Sequence, residues 1–128
     1  YNYGKHVRDF TYVSDIAISI KKLLLKIPKK NDGFNIDKKL SLNSKAKINI
    51  LNIGNGDPRE LEHYISTIEK YTNKKAKRNY IPFQMGDALK TSANTNKLKR
   101  LIKFSPKIKI DEGIKKFVEW YVSFSKSK

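Results

Sequence analysis

Residues 8–16, "RDFTYVSDI", place an arginine and an aspartate beside two aromatic residues, immediately before a predicted helix. The chain has 28 basic residues, but its arginines are only Arg8, Arg59, Arg78 and Arg100. The planar guanidinium group of arginine binds phosphate or carboxylate through two parallel hydrogen bonds, which a lysine ammonium group cannot do. Arg8 is therefore a candidate ligand-binding residue. The alternative interpretation is a surface ion pair between Arg8 and Asp9.

The segment after this stretch, from Val13 to Ile27, has the spacing of an amphipathic helix. Ser14 is suited to cap its start, Asp15 places a negative charge in the first turn, and Pro28 ends it. The residues predicted to face the core are Ile16, Ile20, Leu23, Leu24 and Ile27.

The rest of the chain alternates predicted strands with predicted helices, which indicates an α/β or α+β fold. Residues 1–12 suggest two short extended pieces joined by a turn, and residues 28–46 a surface loop. Strands are predicted at 48–54 and 76–83, and helices from a cap at Asp57 to Tyr71, at 94–104 and at about 112–124. The inward positions are Leu61, Tyr64, Ile65, Ile68 and Tyr71 in the second helix, Leu98, Leu101 and Ile102 in the third, and Ile114, Phe117, Val118 and Tyr121 in the last. We expect residues 1–128 to form one domain with a small sheet and about four helices.

The composition excludes several kinds of site. The chain has no cysteine, so disulfides and cysteine-based zinc sites are excluded. His6 and His63 lie far apart without a carboxylate-rich ligand pattern, and no metal site is predicted. No apolar run approaches the roughly 20 residues that span a bilayer, and no signal peptide is visible. We expect a cytoplasmic protein that does not enter the membrane.

The net charge of +16 has two interpretations. Lysines that neutralise phosphates would indicate nucleic-acid binding. Against this, arginine is scarce, the lysines are spread over every segment, and abundant Lys, Asn and Ile are the residues that A+T-rich codons encode. A solvated lysine surface is the favoured interpretation, and it retains a general attraction for anionic ligands.

Two short patterns are typical of dinucleotide enzymes, but neither is complete. "GNGDPR" (54–59) follows a predicted strand and precedes a helix, yet the third glycine of a G-x-G-x-x-G motif is replaced by Arg59. Tyr1 and Lys5, and Tyr71 and Lys75, have Tyr-x-x-x-Lys spacing without an evident Ser or Thr partner. No catalytic residue is therefore predicted in this chain.

Four motifs in order carry a resemblance to a known family. They are "RDFTYVSDI" (8–16), "NIGNGDPRELEHYI" (52–65), "FQMGDALKTSANTNKLKRLIKFSPK" (83–107) and "EGIKKFVEWY" (112–121). Together they resemble the C-terminal part of extended short-chain dehydrogenase/reductases that act on nucleotide sugars. They are most similar to bacterial UDP-glucuronate epimerases of capsular polysaccharide biosynthesis.

The resemblance implies four substrate-binding residues. Arg8 corresponds to an arginine that reaches the nucleotide diphosphate, and Asp87 to an aspartate that accepts hydrogen bonds from the ribose hydroxyls. Gln84 stands where many sugar epimerases have a phosphate-binding arginine, and Phe10 is expected to pack near the nucleotide. We expect folding to bring Arg8 and Asp87 to opposite ends of one uridine diphosphate pocket.

The resemblance also implies parts that this chain lacks. In the complete family enzyme an N-terminal Rossmann half binds NAD and carries the catalytic tyrosine and lysine, whereas this chain is expected to bind no cofactor itself. The expected partners are a UDP-sugar and a Rossmann half in the same or a separate chain, and a homo-oligomer with further copies of the chain is an open alternative. Two alternatives remain open, namely a basic module that binds polyanions or a non-functional remnant of a split gene.

Overall fold

The computed structural model describes residues 1–28 and 50–126. Within them it has four α-helices and one two-stranded sheet, which confirms the predicted fold class. The elements are a 3-10 helix (Asn2–Gly4), β1 (Val7–Arg8), α1 (Val13–Leu23), β2 (Arg59–Glu60), α2 (Leu61–Thr72), α3 (Asn96–Ile102) and α4 (Ile110–Lys126). The predicted surface loop of residues 28–46 lies, from residue 29 onward, outside the described residues.

The sheet is built around β1. β1 pairs antiparallel with β2, so that Val7 lies opposite Glu60 and Arg8 opposite Arg59. On the other side of β1, a parallel bridge joins Val7 to Lys90. The amide of Val7 donates to the carbonyl of Leu89 (2.9 Å), and the amide of Thr91 donates to the carbonyl of Val7 (3.1 Å). Residues 7–8 are thus held from both sides.

The strands predicted at 48–54 and 76–83 are not observed in the described residues, which include 50–54 and all of 76–83. Both segments lack a strand ladder, although Ile81 accepts one backbone hydrogen bond from Tyr3 (3.1 Å). Apolar and β-branched residues favour extended backbone, but a strand also needs a paired neighbour that the local pattern does not specify. The observed strands are only two residues long and form where distant segments meet.

Two predicted helix starts are wrong. α1 begins at Val13, so Ser14 lies inside the helix and not at its cap, and the preceding Tyr12 makes no capping side-chain hydrogen bond. α2 begins at Leu61 because residues 59–60 pair with β1 instead of continuing a helix from Asp57. The Asp57 carboxylate accepts from Arg59 (3.1 Å) and Lys109 (3.2 Å), and these hydrogen bonds lower its pKa.

The buried face of α1 differs from the predicted one. α1 ends at Leu23, so the predicted end at Pro28 is wrong and Leu24 and Ile27 lie beyond the helix. Both are exposed, as is Ile20, whereas Asp15 and Ser19 are buried. The Asp15 carboxylate accepts the backbone N–H groups of Lys107 (2.8 Å) and Ile108 (2.9 Å). The helix is therefore oriented by a buried carboxylate that satisfies two distant backbone donors, and not only by its apolar stripe.

The hydrophobic core lies among the helices. Its buried apolar members are Leu98, Ile102, Ile114 and Val118. α2 packs against α4, and α1 packs against α3. The predicted inward positions Phe117 and Tyr121 of α4 are exposed; together with Trp120 and Phe124 they form an aromatic stripe with ring centroids 5.4–6.5 Å apart.

An ion-pair network connects α2 to the segment that follows it. The Glu69 carboxylate accepts from Arg78 Nη1 (2.7 Å) and from the amide of Ala76 (2.8 Å), and Arg78 Nη2 also reaches Glu62 (2.8 Å). The hydrogen bond from Arg78, followed by that from Ala76, lowers the pKa of Glu69 from 4.5 to about 2.

None of the helices in residues 1–28 and 50–126 has the length and apolar content that a membrane-spanning helix requires.

The first prediction concerns the buried Asp15. We expect Asp15→Ala to lower the free energy of unfolding by about 1.5–3 kcal/mol, because two backbone donors lose a charged acceptor. Urea unfolding measures the change. Glu119→Ala is the control, because it also removes a carboxylate but from an exposed side chain that makes only a 3.9 Å ion pair with Lys115, and we expect a change within about 0.5 kcal/mol. Equal effects of the two substitutions would contradict the structural role of Asp15.

The second prediction concerns acid stability. Because the pKa of Glu69 is about 2 in the folded chain, its stabilising contribution is present above its unfolded pKa and is lost as the pH falls from about 4.5 to 2. We expect Glu69→Gln to be less stable than the wild type at pH 7 and to lose less stability across that window. Thermal unfolding between pH 2 and 7 measures both. Parallel curves for the two proteins would exclude this role for Glu69.

Candidate functional site

The candidate site lies where β1 meets the turn at residues 84–87. His6 lies just before β1 and Arg8 lies within it, and both side chains reach Asp87 on this turn. In the turn, the amide of Asp87 donates to the carbonyl of Gln84 (3.2 Å), and Gly86 at the third position has φ +88°. A positive φ at this position is typical of a type II turn and favours glycine.

The Asp87 carboxylate contacts two cationic or potentially cationic side chains. Its Oδ1 accepts from Arg8 Nη2 at 3.0 Å, and its Oδ2 lies 3.4 Å from His6 Nε2. Arg8 also donates through Nη1 to the carbonyl of Val7 at 3.0 Å. The Arg8 and Asp87 side chains are 28% and 36% exposed, so the pair is within reach of an external ligand.

The structure brings three of the four predicted binding residues to this place. Arg8 and Asp87 are in direct contact, so the expectation that they occupy opposite ends of a pocket is wrong. Gln84 is exposed on the same turn as Asp87. Phe10 is separate from them: its ring stacks on Tyr64 with centroids 4.1 Å apart. Phe10 and Tyr64 line a cavity of about 190 Å³ between the start of α1 and α4.

Asp9 has a structural role that the sequence did not indicate. Its carboxylate accepts the backbone N–H groups of Gly56 (3.0 Å) and Ala93 (3.1 Å), so the alternative of an Arg8–Asp9 ion pair is wrong. Gly54 packs so closely here that an added Cβ would lie 2.4 Å from the Cβ of Ala93 and 2.9 Å from Asp9 Oδ2. The "GNG" turn therefore binds a carboxylate of the chain itself, which accounts for its glycines without a phosphate ligand.

A polar cavity of about 460 Å³ is lined by Asp9 and by residues 51–54 and 91–93.

The residues with Tyr-x-x-x-Lys spacing are not part of the candidate site around Arg8 and Asp87. Tyr1 is exposed, and the Lys75 ammonium group lies 3.4 Å from Glu69. In residues 1–28 and 50–126, no group of three or more His, Cys, Asp or Glu side chains is suitably placed for a metal ion.

Several known proteins are similar in sequence to nearly the whole of this chain. The chain is 38% identical over 126 residues to protein CapI of Staphylococcus aureus. It is 35% identical over 122 residues to a probable UDP-glucuronate 4-epimerase of Rhizobium meliloti. These alignments cover 98% and 94% of the chain but only 38% and 36% of the two relatives. No protein-family model matches the sequence.

Two solved structures have the same fold. MoeE5 in complex with UDP-glucuronic acid and NAD has a TM-score of 0.75 and is 22% identical. The match covers 97% of this chain and 36% of that one. UDP-glucuronic acid 4-epimerase from Bacillus cereus, in complex with UDP-glucuronic acid and NAD, has a TM-score of 0.71 and is 21% identical; the match covers 97% of this chain and 34% of that one.

The chain is related to the UDP-glucuronate epimerases. It has the fold of the C-terminal portion of extended short-chain dehydrogenase/reductase epimerases, which confirms the resemblance identified from the four motifs. It spans little more than a third of the length of these epimerase relatives.

The third prediction concerns the contact between Gly54 and Ala93. We expect Gly54→Ala to destabilise the chain by about 1–3 kcal/mol, because the new methyl group overlaps Ala93. Adding Ala93→Gly removes the overlapping methyl and should recover part of this loss, as measured by urea unfolding.

Gly56→Ala is the matched control for this pair. Its φ of +71° strains any other residue, but nothing lies within 4 Å of the added Cβ. We therefore expect Ala93→Gly to rescue none of the loss caused by Gly56→Ala. Equal rescue of both variants would show that the close approach at Gly54 is not the cause.

Proposed function

We propose that the chain is the nucleotide-sugar-binding portion of an NAD-dependent epimerase, with UDP-glucuronate as the first candidate substrate. The observation that carries the proposal is the contact between Arg8 and Asp87, which joins two distant motifs at one exposed position. The names of the relatives and structural neighbours support the same class of ligand. The substrate, the activity and a role in capsular polysaccharide biosynthesis are all parts of this proposal.

The ion pair between Arg8 and Asp87 is weak enough for Arg8 to exchange Asp87 for a diphosphate ligand. A partly exposed ion pair contributes about 0–1 kcal/mol, so releasing Arg8 from Asp87 costs little. A diphosphate offers the guanidinium group more negative charge and two oxygens in matching geometry. Binding would therefore transfer Arg8 to the diphosphate and leave Asp87 free to accept hydrogen bonds from the ribose hydroxyls.

The other two residues have supporting roles in the proposal. Gln84 precedes Asp87 in the same turn, and its amide could donate to a phosphate oxygen without adding charge. Phe10 stacks on Tyr64 apart from Arg8 and Asp87, so its proposed role is limited to packing beside the site without direct contact to this pair. NAD would be bound by the remainder of the epimerase, which supplies the hydride transfer, while this portion grips and orients the sugar nucleotide.

The fourth prediction tests this role of Arg8. Isothermal titration calorimetry with UDP-glucuronate should be run on the chain alone and on the chain joined to the part of the Rhizobium meliloti relative that lies outside the alignment. We expect Arg8→Ala to weaken binding by about 1.5–3 kcal/mol, or roughly 10- to 150-fold in Kd, because a charged contact to phosphate is lost.

Arg100→Ala is the matched control, because Arg100 is an exposed arginine of α3 and its loss changes the net charge equally. We expect it to leave Kd within about twofold, since an exposed charge far from the ligand is screened by salt. Equal weakening by both variants, with a steep dependence on salt, would instead support a general polyanion-binding surface. Unchanged binding in Arg8→Ala would exclude the proposed contact.

A further inference from the structure

His6 is a buried polar side chain to which the proposed function assigns no role. The residue is only 4% exposed, and its Nε2 atom makes no hydrogen bond. This nitrogen lies 3.4 Å from Asp87 Oδ2, on the carboxylate oxygen that Arg8 does not occupy. A buried polar atom without a hydrogen bond is costly, so its placement against the carboxylate needs an explanation.

The backbone around His6 fixes its position. The carbonyl of His6 accepts from the amide of Leu61 (2.9 Å), and Val7 is held by Leu89 and Thr91. The Arg8 side chain is long and partly exposed, and it can change partners by rotating about its bonds. The two side chains that face Asp87 therefore differ in their surroundings: the His6 side chain is 5% exposed and enclosed by the chain, whereas that of Arg8 is 28% exposed and has room to turn away.

The charged surroundings of His6 are simple. Among the described residues, the ionisable side chain within ion-pair distance of it is Asp87, with Arg8 on the far side of that carboxylate. Phe83 lies directly before the turn, and its ring centroid is 6.1 Å from that of His6. The backbone amide of Leu61, at the start of α2, donates to the carbonyl of His6. The nearby carboxylates have other positions: Glu60 of β2 is exposed opposite Val7, and Glu62 of α2 is bonded to Arg78.

We propose that His6 is a positioning residue that holds Asp87 when a diphosphate ligand draws Arg8 away, and that nucleotide-sugar binding is therefore accompanied by proton uptake at His6. This inference rests on the proposed function, because it assumes that Arg8 binds a diphosphate. It adds a coupling between ligand binding and proton uptake, which the roles proposed for Arg8 and Asp87 do not include.

The sign of the coupling follows from the charges. Without ligand, Asp87 and Arg8 together present no net charge to His6. With a diphosphate bound, the same region gains at least two negative charges whether or not Arg8 leaves Asp87 completely. Nearby negative charge favours the cationic form of a histidine, and histidine is the side chain that exchanges its proton near neutral pH. Binding should therefore take up a proton and be tighter at pH 6.5 than at pH 8.

Calorimetry in buffers of different ionisation enthalpy measures the number of protons taken up on binding. UDP-glucuronate is the appropriate probe, because neither its diphosphate diester nor its carboxylate exchanges a proton near pH 7. We expect the wild-type protein to take up a fraction of a proton at pH 7, and His6→Gln to take up almost none while still binding at pH 8.

His63→Gln is the matched control. His63 Nε2 also lies 3.4 Å from a carboxylate, that of Asp111, but its side chain is 43% exposed and does not contact Asp87 or Arg8. We expect its proton uptake to equal that of the wild type. Equal uptake in the wild type and His6→Gln would overturn the role of His6 and leave the proposed function intact. Failure of the wild type to bind UDP-glucuronate would overturn both proposals.

A ligand-free measurement tests the same contact independently. We expect Arg8→Ala and Asp87→Asn each to move the His6 imidazole NMR signals at a fixed pH, because each removes a charge next to the ring. The signals of His63 should not move in either variant. Unchanged His6 signals in both variants would contradict the proposed coupling.

Discussion

The arrangement of the described residues depends on two carboxylates, Asp9 and Asp15, that accept backbone N–H groups from distant loops. Asp9 binds the amides of Gly56 and Ala93, which are 47 and 84 residues away in sequence. Asp15 binds the amides of Lys107 and Ile108, 92 and 93 residues away. Backbone donors in loops need acceptors, and an ionised carboxylate supplies a stronger hydrogen bond than a neutral group. One short stretch thus ties three loops to the start of α1.

This arrangement also determines where Arg8 lies. Arg8 directly precedes Asp9, and the pairing of β1 with β2 and with residues 89–91 fixes the position of its backbone. The turn that carries Asp87 lies a few residues before that pairing, so the same contacts bring the two motifs together. Carboxylates that satisfy backbone donors build the scaffold. The carboxylate of Asp87 contacts the side chains of Arg8 and His6 among the described residues, and it remains available for exchange with a ligand.

The sequence was informative about helices and much less so about strands. Hydrophobic periodicity located all four helices of the described residues, because burial of an apolar face is encoded locally. The start of α2 was wrong because residues 59–60 pair with β1, and that of α1 because the helix already begins before the expected cap Ser14. The two strands are each two residues long, and Arg59–Glu60 has no strand-like pattern. They form through pairing between distant segments, which a single sequence does not reveal.

The candidate site was partly predictable. Family resemblance selected Arg8 and Asp87, but their direct contact depends on the Gly86 turn and on the pairing beside β1. Asp9 looked like a local partner of Arg8, yet its carboxylate accepts from backbone N–H groups in distant loops. The role of His6 could not be predicted, because His6 lies just before β1 and its contact with Asp87 depends on how residues 84–87 fold against this segment.

A structure of the chain with UDP-glucuronate bound would test the central claim most directly. The account predicts that the Arg8 guanidinium group lies on the diphosphate and that the Asp87 carboxylate lies within hydrogen-bond distance of the ribose hydroxyls. A nucleotide bound elsewhere, with the contact between Arg8 and Asp87 still intact, would contradict it.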